Sequence, residues 1–234
     1  MDNPPSRAIR VSGAALAAAS LFSSREATRY YLNGVGIEPC PDGGALVVAT
    51  DGATMTVIRD LAGYANAPAN CSLPPAAIKA CALRRRDGKS PTAYFFGNNL
   101  HVIAEDPGTD PGLPVHEDEI RAPREDTVFF GWAPAIDGPF PDWRRVVKHV
   151  SGGHPRLPPF NPALMARFGK ADQLLGVPDR GPLRLSPSSE EGPIVVSPES
   201  NAWFGLIMPM QAKGTTVVPA WAGLAETAAT DSAA

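Results

Sequence analysis

The chain is 234 residues long, 44% hydrophobic and 19% charged, with a mean hydropathy of −0.10. This is the composition of a globular protein of one to two domains that can bury a core. A formal net charge of −3 and an isoelectric point near 5.8 argue against a protein that grips nucleic acid by neutralising phosphates over its whole surface, and no apolar run approaches the roughly eighteen residues that cross a bilayer.

The first apolar stretch, Ala14 to Phe22, follows Arg7 and Arg10 and runs directly into Ser23, Ser24, Arg25 and Glu26. Without a longer apolar region or a clean cleavage site, it reads as the start of a helix over Ala14 to Thr28 and not as a signal peptide. Strands are predicted at Tyr31 to Glu38, Ala45 to Thr50 and Thr54 to Arg59, separated by the turn formers Pro41-Asp42-Gly43-Gly44 and Asp51-Gly52. Proline then opens a second helix, Ala76 to Arg85. Strands at Thr92 to Phe96, Leu100 to Glu105 and Thr127 to Trp132 follow, the last two separated by a long acidic connection, Asp106 to Asp126. A third helix, Pro162 to Lys170, has Asn161 as its N-cap and stops near Gly176 to Pro178; strands at Leu183 to Ser186, Ile194 to Ser197 and Ala202 to Met208 complete the pattern. The sequence thus reads as helix-plus-meander modules, an α+β class with helices on one face of antiparallel sheets. The alanine- and threonine-rich residues after Met210 read as a loose tail.

Little in this chain points to catalysis. Gly88-Lys89-Ser90 resembles the end of a phosphate-binding loop, but Leu83 stands where that motif needs glycine. His149 and His154 flank a Gly-Gly segment without the spacing of metal ligands, and no GxSxG is present. The cysteines, at 40, 71 and 81 and never in CxxC spacing, give no sign of a disulfide framework or zinc site and fit a reducing cytoplasm. No enzyme activity and no cofactor are expected.

Four strings in a fixed order carry more information: RYYLNG (Arg29 to Gly34), ATDG (Ala49 to Gly52), FPDWRRVV (Phe140 to Val147) and MPM (Met208 to Met210). Together they resemble the bacterial DNA sliding clamp, the β subunit of DNA polymerase III, in a shortened and divergent form. The resemblance implies the DNA-clamp fold, with residues 1–150 similar to the middle clamp domain, 151–211 to the end of the last one, and 212–234 a tail. The first clamp domain and the front half of the last have no counterpart here. An unpaired half domain leaves a sheet edge exposed, so association into a homo-oligomer is expected.

By position, the resemblance places a client-peptide pocket at Leu32, Thr50, Gly52, Met55, Pro141, Arg145, Val146, Asn161, Leu164, Leu206, Met208, Pro209 and Met210. Such a cleft suits short peptides with apolar or aromatic anchors, and methionine adapts to several partners. Two basic groups usual beside that pocket are absent, because Ala53-Thr54-Met55 follows ATDG and Gln211 follows MPM. Double-stranded DNA would be contacted by Arg25, Arg29, Tyr30, Tyr31, Lys79, Arg84, Arg85, Arg86, Arg167 and Lys170, arginines meeting phosphates and tyrosines stacking on unpaired bases. The expected partners are therefore DNA, client peptides of polymerases or repair proteins and, if a ring is loaded, a clamp loader. The alternatives are a non-encircling adaptor that binds client peptides and a scaffold with no DNA role.

Overall fold

The computed structural model describes residues 7–83, 89–104, 122–138, 140–148, 157–176, 181–189, 191–200 and 202–211. Arg84, Arg85 and Arg86, the acidic connection from 105 to 121, His149, His154 and the tail lie outside them.

Ahead of the first described helix stands a strand that the sequence pattern does not announce, β1 (Ala8–Ser12). Arg10 interrupts its apolar run, yet Ile9 and Val11 are buried and Arg10 is itself only 2% exposed. β1 pairs with β7 (Thr92–Phe96), with Ile9 opposite Phe95 and Val11 opposite Ala93. β1 therefore lies in the sheet of the second module. Helix α1 (Gly13–Ser20) follows at once, and a Cβ on Gly13 would lie 2.9 Å from the carbonyl oxygens of both Cys81 and Pro91.

α1 ends at Ser20, well before Thr28. Ser20 donates to the Ala17 carbonyl at 2.8 Å and Ser23 to the Ser20 carbonyl at 2.9 Å, so serine hydroxyls meet carbonyls where the helix stops. Its residues from Gly13 to Ala19 are all buried, as expected of a helix apolar all round that is enclosed by neighbours. Residues Ala27–Leu32, expected to divide between helix and strand, instead form a 3-10 segment with a kink at Arg29. β2 (Val35–Pro39), β3 (Ala45–Thr50) and β4 (Thr54–Asp60) then make the meander, followed by the short β5 (Tyr64–Ala65) and β6 (Ala69–Cys71).

The second module comprises α2 (Pro75–Cys81), β7, β8 (Asn99–Ile103) and β9 (Thr127–Trp132). A short helix, α3 (Trp143–Lys148), forms within FPDWRRVV. The third module has α4 (Pro162–Leu175), β10 (Arg184–Pro187), β11 (Ile194–Ser197) and β12 (Trp203–Ile207). The N-cap of α4 is as expected: the Asn161 carboxamide accepts from the Ala163 amide at 2.9 Å, and Gly176 ends the helix at φ 68°.

Two antiparallel sheets result, a five-stranded one in the order β5-β1-β7-β8-β9 and a seven-stranded one in the order β10-β11-β12-β4-β3-β2-β6. The third module does not build a sheet of its own. β12 lies antiparallel to β4, Leu206 opposite Met55 and Gly205 opposite Thr56, and so extends the sheet of the first module. Helices α1, α2 and α4 contribute to one large core with the sheets, while α3 lies on the other face of the seven-stranded sheet, where Trp143 and Val147 pack on Leu46, Val48, Met55, Val57 and Leu206. Burial pushes the thiol of Cys71 up to about 11 and that of Cys81 to about 12, which makes both inert packing groups. No helix among the described residues is long and apolar enough to cross a membrane.

The joint between α4 and β12 is tight. Phe168 of α4 stacks on Trp203 with centroids 6.1 Å apart and meets Phe22 at 4.9 Å, and the Trp203 indole donates to Asp172 at 3.2 Å. This is possible because Gly205 has no side chain: a Cβ there would collide with the Phe168 ring and stand 2.6 Å from the Met55 carbonyl oxygen. Gly205→Val is expected to destabilise the fold by about 1–3 kcal/mol, seen as a lower urea midpoint with an unchanged slope.

Candidate functional site

Where the third module joins the first, the outer face of the seven-stranded sheet holds a cavity of about 470 Å³. Leu32, Met55 and Leu206 are its buried apolar lining; Tyr31, Val146 and Met208 are exposed parts of it. Thr50, Gly52, Ala53 and Thr54 enter from the β3–β4 hairpin, Pro141, Asp142 and Trp143 from the start of α3, and Arg29 from the 3-10 segment.

The hairpin is held by its own side chains. The Thr50 hydroxyl donates to the Thr54 carbonyl at 2.8 Å and accepts from the Gly52 amide at 3.0 Å, while Gly52 takes φ 88°, a left-handed conformation that favours glycine. Oδ1 of Asp51 accepts from the amides of Ala53 at 2.9 Å and Thr54 at 2.7 Å and from the Thr54 hydroxyl at 3.0 Å. Its Oδ2 accepts from Arg167 of α4 at 2.5 Å. The Met208 amide donates to the Ala53 carbonyl at 2.9 Å. One aspartate thus closes the hairpin and ties it to the third module.

The other wall is anchored from β2. Glu38 accepts from the Trp143 indole at 3.2 Å and pairs with Arg144 at 2.7 Å, whose guanidinium lies 4.3 Å from the Trp143 ring centre. The hydrogen bond to Glu38 raises the Arg144 pKa further above its ordinary range. The Phe140 ring rests on Gly36, where a Cβ would come within 2.9 Å of it.

Of the residues predicted for a pocket, Leu32, Thr50, Gly52, Met55, Pro141, Val146, Leu206 and Met208 line this cavity together. Arg145, Asn161, Leu164, Pro209 and Met210 are not among its lining residues. Asn161 is occupied as the α4 cap, Leu164 packs on the main core, Arg145 is exposed on α3, and the Met210 amide donates to the Pro159 carbonyl at 2.8 Å. Trp143, Asp142, Ala53 and Thr54 belong to the lining but went unpredicted, although Trp143 and Asp142 stand inside the motif that drew attention to Pro141.

The predicted DNA contacts separate. Arg29 and Tyr31 line the apolar cavity. Arg25, Arg167 and Lys170 line a second, more polar cavity of about 770 Å³ between the end of α1 and α4, with Ser23, Ser24, Glu26 and Asp51. Lys79 is exposed on α2, and Tyr30 is 55% exposed and meets Tyr31 edge-on. Arg29 pairs with Glu26 at 3.5 Å and Arg167 with Asp51, so two of the cations carry a local counter-charge. Among the described residues no group of three or more histidine, cysteine, aspartate or glutamate side chains could hold a metal.

Comparison with solved structures places this architecture. The DNA polymerase sliding clamp of Pseudomonas aeruginosa, solved with a ligand, aligns over 91% of this chain and 68% of its own, with TM-score 0.55 and 15% identity. The chain has the fold of bacterial DNA sliding clamps. The β subunit of the Streptococcus pyogenes DNA polymerase aligns over 91% and 67%, with TM-score 0.56 and 14% identity. The sliding clamp of Bartonella birtlesii, solved bound to griselimycin, aligns over 91% and 68%, with TM-score 0.52 and 15% identity. No protein-family model matches the sequence, and no curated protein matches it. The clamp fold is therefore carried here by a divergent sequence that spans about two thirds of these clamp chains.

The carboxyl of Asp51 feels opposing effects. Burial raises its pKa, but the hydrogen bonds from Arg167, Thr54 and Ala53 together outweigh that and hold it below its ordinary value of 3.8. A carboxylate with a depressed folded-state pKa stabilises the fold above its unfolded pKa and loses that contribution as pH falls through the folded value. Stability is thus expected to be flat in this respect above about pH 5 and to drop below about pH 4. Asp51→Asn should be less stable at neutral pH and show a shallower acid limb, measured as denaturant midpoint against pH.

Proposed function

We propose that this chain is a clamp-type docking protein that binds short client peptides in the cavity between β4, β12 and α3 and associates with double-stranded DNA as an oligomer. The observation that carries this reading is the cavity, an apolar cleft open to solvent at the joint of two modules, with Met55, Val146, Leu206 and Met208 in its lining. Anchoring leucine or phenylalanine side chains in such a cleft is worth roughly 1.5–3 kcal/mol each. Methionines let one cleft accept anchors of different shape. Asp142 and Arg29, both exposed and both in the lining, are in place to orient a peptide main chain. Asp51 and Trp143 matter indirectly, because each holds one wall of the cleft.

The partners in this reading are the peptides of a polymerase or repair enzyme and, on the helix side, DNA phosphates near Arg25 and Lys170. A second reading, a non-encircling adaptor that binds the same peptides without DNA, is favoured by the ion pairs of Arg29 and Arg167, which leave less cationic charge for phosphates.

A fluorescein-labelled hexapeptide with leucine and phenylalanine anchors should bind the full chain saturably by anisotropy. Met208→Ala and Val146→Ala, both at exposed positions, should each weaken it about tenfold without changing thermal stability; affinity equal to the parent's in both variants would remove the cleft as the site. Association with a linear duplex should weaken with salt, and Arg25→Ala with Lys170→Ala should lower the slope of log affinity against log salt by about one for each phosphate no longer neutralised. Peptide binding without any salt-dependent DNA association would select the adaptor.

A further inference from the structure

The cleft leaves three of its apolar lining residues open to solvent: Tyr31 is 38%, Val146 46% and Met208 43% exposed. It also lies where the chain leaves its last strand. β12 supplies Leu206 to the lining, and Met208 follows two residues later, its amide held by the Ala53 carbonyl of the hairpin. The Met210 amide then donates to the Pro159 carbonyl at 2.8 Å. Residues 212–234, outside the described ones, are thus tethered to the wall of the cleft, four positions past Met208.

The composition of that segment matches what the cleft takes. Beyond Met210 the one aromatic residue is Trp221, and the large aliphatic residues are Val217, Val218 and Leu224. After Leu224 every apolar residue is alanine, and from Gln211 to Ala225 the only charged residue is Lys213. Trp221 and Leu224, three positions apart, are the bulkiest anchors in the tail, and no charge stands between them.

We propose that Trp221 and Leu224 of this chain's own tail occupy the cleft, so that a client peptide has to displace them. The inference rests on the reading of the cleft as a site for apolar anchors and adds its regulation. Trp221 stands thirteen positions past Met208. A flexible linker of that length has a root-mean-square span of about 20 Å, ample for a return to a cleft whose wall includes Met208 itself. An indole ring offers roughly 150–250 Å² for burial, and the thioethers of Met55 and Met208 suit contact with an aromatic ring.

Tethering compensates for weak anchors. A short flexible linker presents its segment at about millimolar effective concentration. A tail that would bind with a dissociation constant of about 0.1 mM if it were free then fills the cleft roughly nine-tenths of the time and weakens a competing peptide about tenfold. Only client segments with strong anchors, or at high local concentration, dock under that competition.

The experiment uses the full chain with ¹³C-labelled methionine methyl groups. The ring current of Trp221 should displace the Met55 and Met208 resonances; Trp221→Ala should move both and leave Met165, which packs on the main core, in place. The fluorescein-labelled hexapeptide should bind the double variant Trp221→Ala with Leu224→Ala about tenfold more tightly than it binds the parent. Unmoved Met55 and Met208 resonances, or equal peptide affinity in parent and double variant, would overturn the proposal and leave the cleft as a peptide site. Absence of peptide binding to both proteins would remove the reading of the cleft and this inference with it. Methyl shifts that fade on dilution would assign the occupant to the tail of a second copy and likewise overturn the proposal.

Discussion

The antiparallel pairing of β12 with β4 is the constraint on which the rest of the molecule depends. It joins residues about 150 positions apart in the chain, and the closure entropy of so long a loop has to be offset by what the joint buries. Phe168, Trp203 and Phe22 stack on one side of the sheet; Leu206, Met55, Phe204 and Trp143 pack on the other. Gly205 makes the first of these possible by removing the one Cβ that would stand between α4 and the strand. Without this joint the cleft would lose Leu206 and Met208, and Asp51 would lose its guanidinium partner.

The cleft is best understood as a by-product of that joint. Sheet continuity places β4 and β12 side by side, and α3 covers the neighbouring part of the sheet through Trp143 and Val147. The hairpin, closed by Thr50 and Asp51, rises at one end. The space left between hairpin, helix and strand end is lined by side chains that the fold itself needs partly buried. Asp51 links this outer face to the helix side through Arg167, whose charge is thereby committed to structure. The same residue thus bears on the shape of the cleft and on how much positive charge the helix side presents.

Much of the architecture was legible in the residues. The meander strands have apolar runs bounded by Asp-Gly and Gly-rich turns, and β3, β7, β9 and β11 begin and end where those signals put them. α4 carries its own start and stop in Asn161-Pro162 and Gly176. The departures have local causes. Arg10 disguised β1, because a strand buried on both faces shows no alternation and its charge is accommodated only by the fold around it. α1 is an alanine-rich helix whose end is set by serine back-bonding, which the run of small residues through Ser24 conceals. α3 is too short for its period to be visible, and it has Glu38 and the sheet face as its supports.

By itself the sequence determined the three longer helices, nine of the strands, the α+β class and the short strings that mark the cleft, because turns, caps and strand patterns are interactions among near neighbours. Tertiary structure alone decided which strands adjoin, and hence that the third module extends the first module's sheet. It also decided that Arg29, Tyr31 and Trp143 line the cleft beside Leu206, that Asn161 caps α4 and Leu164 packs on the core, and that Arg167 is engaged by Asp51. Those facts depend on contacts across long separations in the chain, where a residue's partner cannot be read from its neighbours.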